Sequence, residues 1–239
     1  MNAQARAVTP LGDPRGARPR RRRRLRWLTA GLVVAVVLLA GGVAAFVEQP
    51  APAPLRLPAG AAARPSGPLG GTWQVAAGSV AGFRIRESAL GFGNDVVGRT
   101  SAVTGTIALA GDTVTRARLT VGLADIRVDG KTEEQLARSL ATARYPDATF
   151  TLSRPVQLSP AFAAGATIRL AAPGVLSLRG LALPVTVILA GRRSGAALQV
   201  AGSIQVAFAR WRIASPGGLG FLGSLADQGI AEFLIILRR

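Results

Sequence analysis

From Thr72 to the C-terminus the chain is written in short apolar–polar alternations, broken at close intervals by Gly, Asp and Pro. In Val114–Leu123, Ala117, Leu119, Val121 and Leu123 share one parity, while Arg116, Arg118 and Thr120 share the other. A period of two is the mark of a half-buried strand, because successive side chains leave a strand on opposite faces. The same pattern recurs at Gly82–Arg86, Val103–Ala110, Ala148–Val156, Thr167–Leu170, Val175–Leu178, Val185–Ala190, Leu198–Phe208 and Ala231–Leu237. Gly111-Asp112 and Arg193-Ser194-Gly195 are hairpin-turn signals between such runs. Many short strands without helices between them predict an antiparallel all-β domain, a barrel or a sandwich.

Composition narrows the chemistry. Hydrophobic residues make up 49% and aromatics 5%, so the core is built from Ala, Val, Leu and Ile. Cysteine and histidine are both absent, which excludes disulfides, thiolate nucleophiles, Cys/His metal sites and any triad with an imidazole base. The close carboxylate pairs are Asp125/Asp129 and Glu133/Glu134. The first flanks a loop and the second suits a helix N-terminus, and neither has the spacing of a calcium loop. The expectation is a non-enzymatic domain with no metal and no resident cofactor.

The net charge of +17 looks like a nucleic-acid signature until it is located. Residues 1–26 hold nine arginines against Asp13 alone, five of them in the run Arg20–Arg24. An uncharged stretch then runs from Trp27 to Val47, 21 residues. About 20 apolar residues span the hydrocarbon core of a bilayer. Flanking arginines stay cytoplasmic, which sends the rest of the chain outside. The expected layout is a cytoplasmic tail over 1–26, a single membrane-spanning helix over 27–47, a Pro/Ala-rich linker over 48–69 and the β domain over 70–239. A cleaved signal ending near Ala45 is the alternative, with a secreted product. The arginines then serve topology and the membrane surface, not nucleic acid. The six prolines Pro50, Pro52, Pro54, Pro58, Pro65 and Pro68 favour an extended spacer.

One segment departs from the strand pattern. Thr132-Glu133-Glu134-Gln135 has the form of a capping box, with Thr132 as N-cap. Leu136 and Leu140 would share a face of the one short helix, which Pro146 stops. The stretch Asp129-Gly130-Lys131-Thr132, Leu136–Leu140 and Ala143-Arg144-Tyr145-Pro146-Asp147-Ala148-Thr149-Phe150 resembles the most characteristic part of the YceI-like family, whose members carry Lys-Tyr-Pro-x-Ala-x-Phe. Gly174–Val185 is similar to that family's Gly-x-Leu-Thr-x-x-Gly-x-x-x-Pro-Val hairpin, and Trp73-Gln74-Val75 with Gly78–Ile85 to its first strands. Gly78-Ser79, Glu87 and Ala209–Ile213 depart from the family pattern. The resemblance implies an eight-stranded, lipocalin-like antiparallel barrel outside the cytoplasm that binds a polyisoprenoid or another long-chain amphiphile.

Inward strand positions would line such a cavity. These are Phe83 and Ile85, Leu119 and Val121, Phe150 and Leu152, then Leu176 and Leu178, Val185 and Val187, and finally Ile204, Val206 and Phe208. Filling a barrel with small aliphatic residues leaves volume, and an empty apolar cavity is destabilising. Tyr145 is expected to plug a barrel end. Phe92, and Leu219, Phe221 and Leu222, sit in Gly-rich loops suited to a mouth or to membrane contact. Arg210 and Arg212 beside Trp211 are candidates for a head group. The competing expectation is a structural or interaction barrel of the cell envelope, linked to stress tolerance, with the same side chains filling a dry core.

Overall fold

The computed structural model describes residues 51–89, 92–130, 132–214 and 223–239. The expected membrane-spanning stretch 27–47 lies outside them, and among the described residues no helix is long and apolar enough to cross a membrane. The strands are β1 Gly71–Val75, β2 Val80–Ala89, β3 Phe92–Thr100, β4 Val103–Ala110, β5 Thr113–Gly122, β6 Arg127–Val128 and β7 Asp147–Leu152. There follow β8 Val156–Gln157, β9 Ile168–Leu178, β10 Leu181–Ser194, β11 Ala197–Ala207, β12 Gly223–Leu225 and β13 Gln228–Arg238. Helix α1 covers Glu134–Leu140, α2 covers Pro160–Ala163, and a 3-10 turn covers Phe208–Trp211.

The long strands form eight antiparallel staves in chain order. β1 with β2 makes the first stave and β3 with β4 the second, paired from Gly71↔Leu109 to Ala89↔Phe92. β5, β7, β9, β10, β11 and β13 follow as neighbours. β13 then pairs back with β1 and β2, closing the barrel. Closure removes the open edges that an eight-stranded sheet would otherwise expose. Ser79 mends the seam where β1 gives way to β2. Its hydroxyl accepts from Ile236 N at 3.0 Å and lies 2.8 Å from Ala76 O and 3.2 Å from Ile236 O, where it can donate.

Alternation survives where pairing is regular. In β9, Ala172, Leu176 and Leu178 are buried while Arg169, Ala171 and Ser177 are exposed. β9 is one strand where the sequence pattern gives two, because Pro173 interrupts the pattern but not the ladder. Ser153 N donates to Pro173 O at 3.0 Å, just beyond the last β7–β9 pair Leu152↔Gly174. The edge of Pro173 that lacks an N–H thus falls where the ladder ends. The helix expectation needs two corrections. α1 starts at Glu134, with Glu133 as N-cap and no side-chain cap, so the Thr132 capping box does not form. A second short helix, α2, adds to the one expected, with Ser159 Oγ accepting from Ala161 N at 3.3 Å as its cap.

The core has two clusters stacked along the barrel axis. One gathers Ile85, Leu140, Leu176, Val206, Phe208 and Trp211 at the end covered by α1. The other gathers Trp73, Leu109, Leu158, Phe162, Leu198 and Leu237 toward the end covered by α2. Trp73 is 1% exposed, its Nε1 donates to Leu69 O at 2.9 Å, and the Arg239 guanidinium stands 5.1 Å from its ring centre. Trp73→Ala should therefore lower unfolding free energy by about 3–5 kcal/mol, read from a urea titration. A loss under about 1 kcal/mol would mean that the second cluster repacks around the gap.

Residues 51–69 have no helix or strand, yet they lie against the barrel wall. Arginines of the wall hold their carbonyls: Arg84 Nη2 donates to Pro52 O and Arg99 Nη2 to Ala53 O. Arg192 donates to Pro58 O at 2.8 Å and Gly60 O at 3.0 Å, and Arg193 to Ser66 O at 3.0 Å and Gly67 O at 2.9 Å. Ser66 N and Gly195 N add backbone bonds to Gly195 O and Ala63 O. A proline-rich segment has few N–H groups to offer, so carbonyl acceptors meeting guanidinium donors is how it can be fastened.

Candidate functional site

Inside the barrel a cavity of about 260 Å³ runs through both core clusters. That is near the lower end of the roughly 300–1,000 Å³ of small-molecule sites. It also exceeds the engineered apolar cavity of about 150 Å³ that stays dry and takes up benzene. Its wall is aliphatic and aromatic, with Ser139 and Glu232 as its polar members. Glu232 occupies an outward position of β13. Its carboxylate accepts from Arg99 Nη2 at 2.5 Å and from Leu55 N at 3.1 Å, both on the outer face. The interior therefore offers no available ionic group among the described residues.

Twelve of the expected lining residues meet in this cavity: Phe83, Ile85, Leu119, Val121, Phe150, Leu152, Leu176, Leu178, Val187, Ile204, Val206 and Phe208. Val185 packs against the core cluster beside it without bordering the space. Two aromatic rings are seated by glycines on neighbouring strands. A Cβ on Gly174 would stand 2.3 Å from the Phe150 ring, and one on Gly98 would stand 2.3 Å from the Phe83 ring. Only at glycine can the rings lie flat on the wall and leave the axis open.

Part of the wall comes from residues beyond the thirteen expected positions. Leu198 and Val200 share the parity of Ile204 and Val206, so the β11 alternation already contained them. Leu136, Ser139 and Leu140 cover one end from α1, at the i, i+3, i+4 spacing of one helix face. Phe162 covers the other end from α2. That contribution had no period-two signal to betray it.

The residues expected at a mouth behave differently. Arg210 and Arg212 are exposed and border no part of the cavity, whereas Trp211 is 2% exposed and belongs to the core cluster. Only the backbone of Phe92 is described, at the start of β3 opposite Ala89 and not in a loop. Leu219, Phe221 and Leu222 lie outside the described residues. The Tyr145 ring rests on Gly180 in the β9–β10 turn and under Arg144, 5.3 Å from its guanidinium, outside the cavity wall. Asp125, Asp129, Glu133 and Glu134 are exposed. Among the described residues no three His, Cys, Asp or Glu side chains gather as a metal site would need.

A family model described as the YceI-like domain matches residues 73–230. None of the curated proteins matches. Among solved structures, a polyisoprenoid binding domain from Saccharophagus degradans, implicated in plant cell wall breakdown, superposes with a TM-score of 0.54 at 17% identity. The match covers 71% of this chain and 98% of that one. BcnA of Burkholderia cenocepacia gives 0.47 at 17% identity, over 64% and 95% of the two chains. The YceI protein of Campylobacter jejuni gives 0.43 at 11%, over 58% and 82%. At these identities the first likeness speaks to fold alone.

Proposed function

Because this chain belongs to the YceI-like family, we propose that it binds a long-chain isoprenoid or similar amphiphilic lipid inside the barrel, as a carrier and not a catalyst. The observation that carries the reading is the interior cavity of about 260 Å³, whose largely aliphatic wall draws on both core clusters. An apolar chain fits such a space because burying each CH₂ contributes about 0.8 kcal/mol, and the described wall is aliphatic and aromatic apart from Ser139 and the outward-turned Glu232. A polyisoprenoid binding domain with the same fold supports that choice of ligand. The arginine-flanked run 27–47 supports residence outside the cytoplasm on a membrane tether.

The test is direct. Organic extraction and mass spectrometry of the purified full chain should recover a long-chain lipid. Added isoprenoid alcohol or quinone should raise its melting temperature by roughly 5–10 °C at about a hundred times Kd, from about 2.7 kcal/mol of linkage. Recovery of no such lipid, with no thermal shift from any added one, would return the barrel to the structural role.

A further inference from the structure

The outer wall of the barrel has two unlike sides. On one, the arginines are neutralised or covered: Arg84, Arg86 and Arg99 meet Asp95 and Glu232, while Arg192 and Arg193 hold carbonyls of the 51–69 segment. On the other side, around β5, they are neither. Arg238 of β13 pairs with Gln74 of β1, Gln74 with Thr106 of β4, Thr106 with Arg118 of β5, and Arg118 with Thr151 of β7. All the residues of this row are exposed. Arg116, also exposed, stands on the same face of β5. Exposed Arg154 lies between the pairs Arg118↔Thr151 and Val114↔Val156, in the stretch running alongside Arg116. With neighbouring strands about 4.8 Å apart, Arg238 and Arg118 are rooted about 14 Å from one another. The guanidiniums of Arg116, Arg118, Arg154 and Arg238 meet no carboxylate among the described residues.

We propose that this patch docks the barrel on an anionic bilayer surface, with lipid phosphates as its partner. The charge is complementary and uncontested. Of the twelve carboxylates in the chain, Asp13 and Glu48 fall outside the described residues. Asp112 in the β4–β5 turn and Asp147 at the start of β7 flank the patch at its two ends. The other eight lie on β2, β3 and β13 or in the loops and helix around the end that α1 covers. Guanidiniums spread over a convex wall, with threonine hydroxyls between them, can meet a plane of phosphates without a groove. No aromatic side chain stands among them to stack a base, so a nucleic acid fits less well. Each arginine close to an anionic membrane is worth roughly fivefold in binding. The proposal goes beyond lipid binding in the interior, since a barrel with any core would dock in this way.

The chain has no cysteine, so a single fluorophore can be placed at will. Thr106→Cys carries it in the middle of the row, and Gln205→Cys carries it on β11, four staves away around the ring. Each labelled full chain is mixed with phosphatidylcholine vesicles with or without phosphatidylglycerol, and quenching by spin-labelled head groups is read. Any pull of the N-terminal arginines acts on both labelled chains alike. Quenching at 106 should exceed that at 205 by roughly fivefold, and only with phosphatidylglycerol. Salt at about 1 M, where the Debye length is about 3 Å, should abolish the difference. Arg116→Ser, Arg118→Ser and Arg238→Ser together should shift the docked fraction by about a hundredfold and bring the two labels level. Equal quenching at both positions with phosphatidylglycerol, or the same excess at 106 on pure phosphatidylcholine, overturns the docking face whatever the interior holds. If soluble dextran sulfate at matched charge uncovers position 106, the partner is an acidic polymer and the bilayer assignment falls.

Discussion

Ala172→Trp should empty the barrel of lipid and leave it folded. Ala172 faces inward at the middle of β9, opposite Val187 on β10, and is 5% exposed at the wall of the cavity. An indole grown from that position projects into the axis along which a chain would lie. Overpacking a dense core costs about 1–3 kcal/mol, but here the added ring enters existing space, so the loss should fall at the low end. Lipid recovered by extraction should drop at least tenfold, and the thermal shift with added isoprenoid should vanish. A folded variant that still carries lipid at the wild-type ratio would show that the axis is not where the ligand lies. The reverse substitution of a large wall residue would be a poorer test, because it enlarges the cavity and destabilises at once.

Glu232→Ala should be the most destabilising change on the outer face, by about 3–5 kcal/mol. Glu232 is 4% exposed and receives Arg99 Nη2 at 2.5 Å, Arg84 Nη2 at 3.6 Å and the Leu55 amide at 3.1 Å. Without the carboxylate, two largely covered guanidiniums keep one carboxylate, Asp95 at 2.9 Å from Arg84 Nη1, and otherwise only carbonyls: Phe83 O and Gly98 O at Arg99 Nη1, and Pro52 O and Ala53 O of the 51–69 segment. The melting temperature should fall by on the order of 10 °C, and protease should cut within 51–69 faster than in wild type. Glu232→Gln keeps an acceptor for Leu55 N but not the charge, so it should lie between the two. If Glu232→Ala costs under about 0.5 kcal/mol, the fastening of that segment resides in Arg192 and Arg193 instead.

The barrel was legible wherever burial of one face imposed its period on the residues. β5 and β11 read directly from alternation, and twelve cavity residues followed from parity alone. β3 did not, because Phe92-Gly93-Asn94-Asp95 has the composition of a turn, and only its pairing with β2 makes it a strand. The capping box over Thr132–Gln135 had the right letters, but the backbone at Glu133 is extended and the helix begins one residue later. The segment 51–69 reads as a free spacer because its residues are mostly Pro, Ala and Gly. What fastens it is held by Arg84, Arg99, Arg192 and Arg193, far away in the chain, and no local pattern records that. Ser139 was hidden for another reason: a serine amid a helix is unremarkable until the cavity shows which way that face looks.

The seam at Ser79 and Ile236 joins positions 157 residues apart. During synthesis the first stave therefore waits, its edge bare, until nearly the whole domain has been made. β11 waits in the same way, since β13 supplies its missing neighbour too. Such a topology belongs with the slow folders, which close in milliseconds to seconds and not microseconds. It also means that the interior exists first as an open trough and only afterwards as a room.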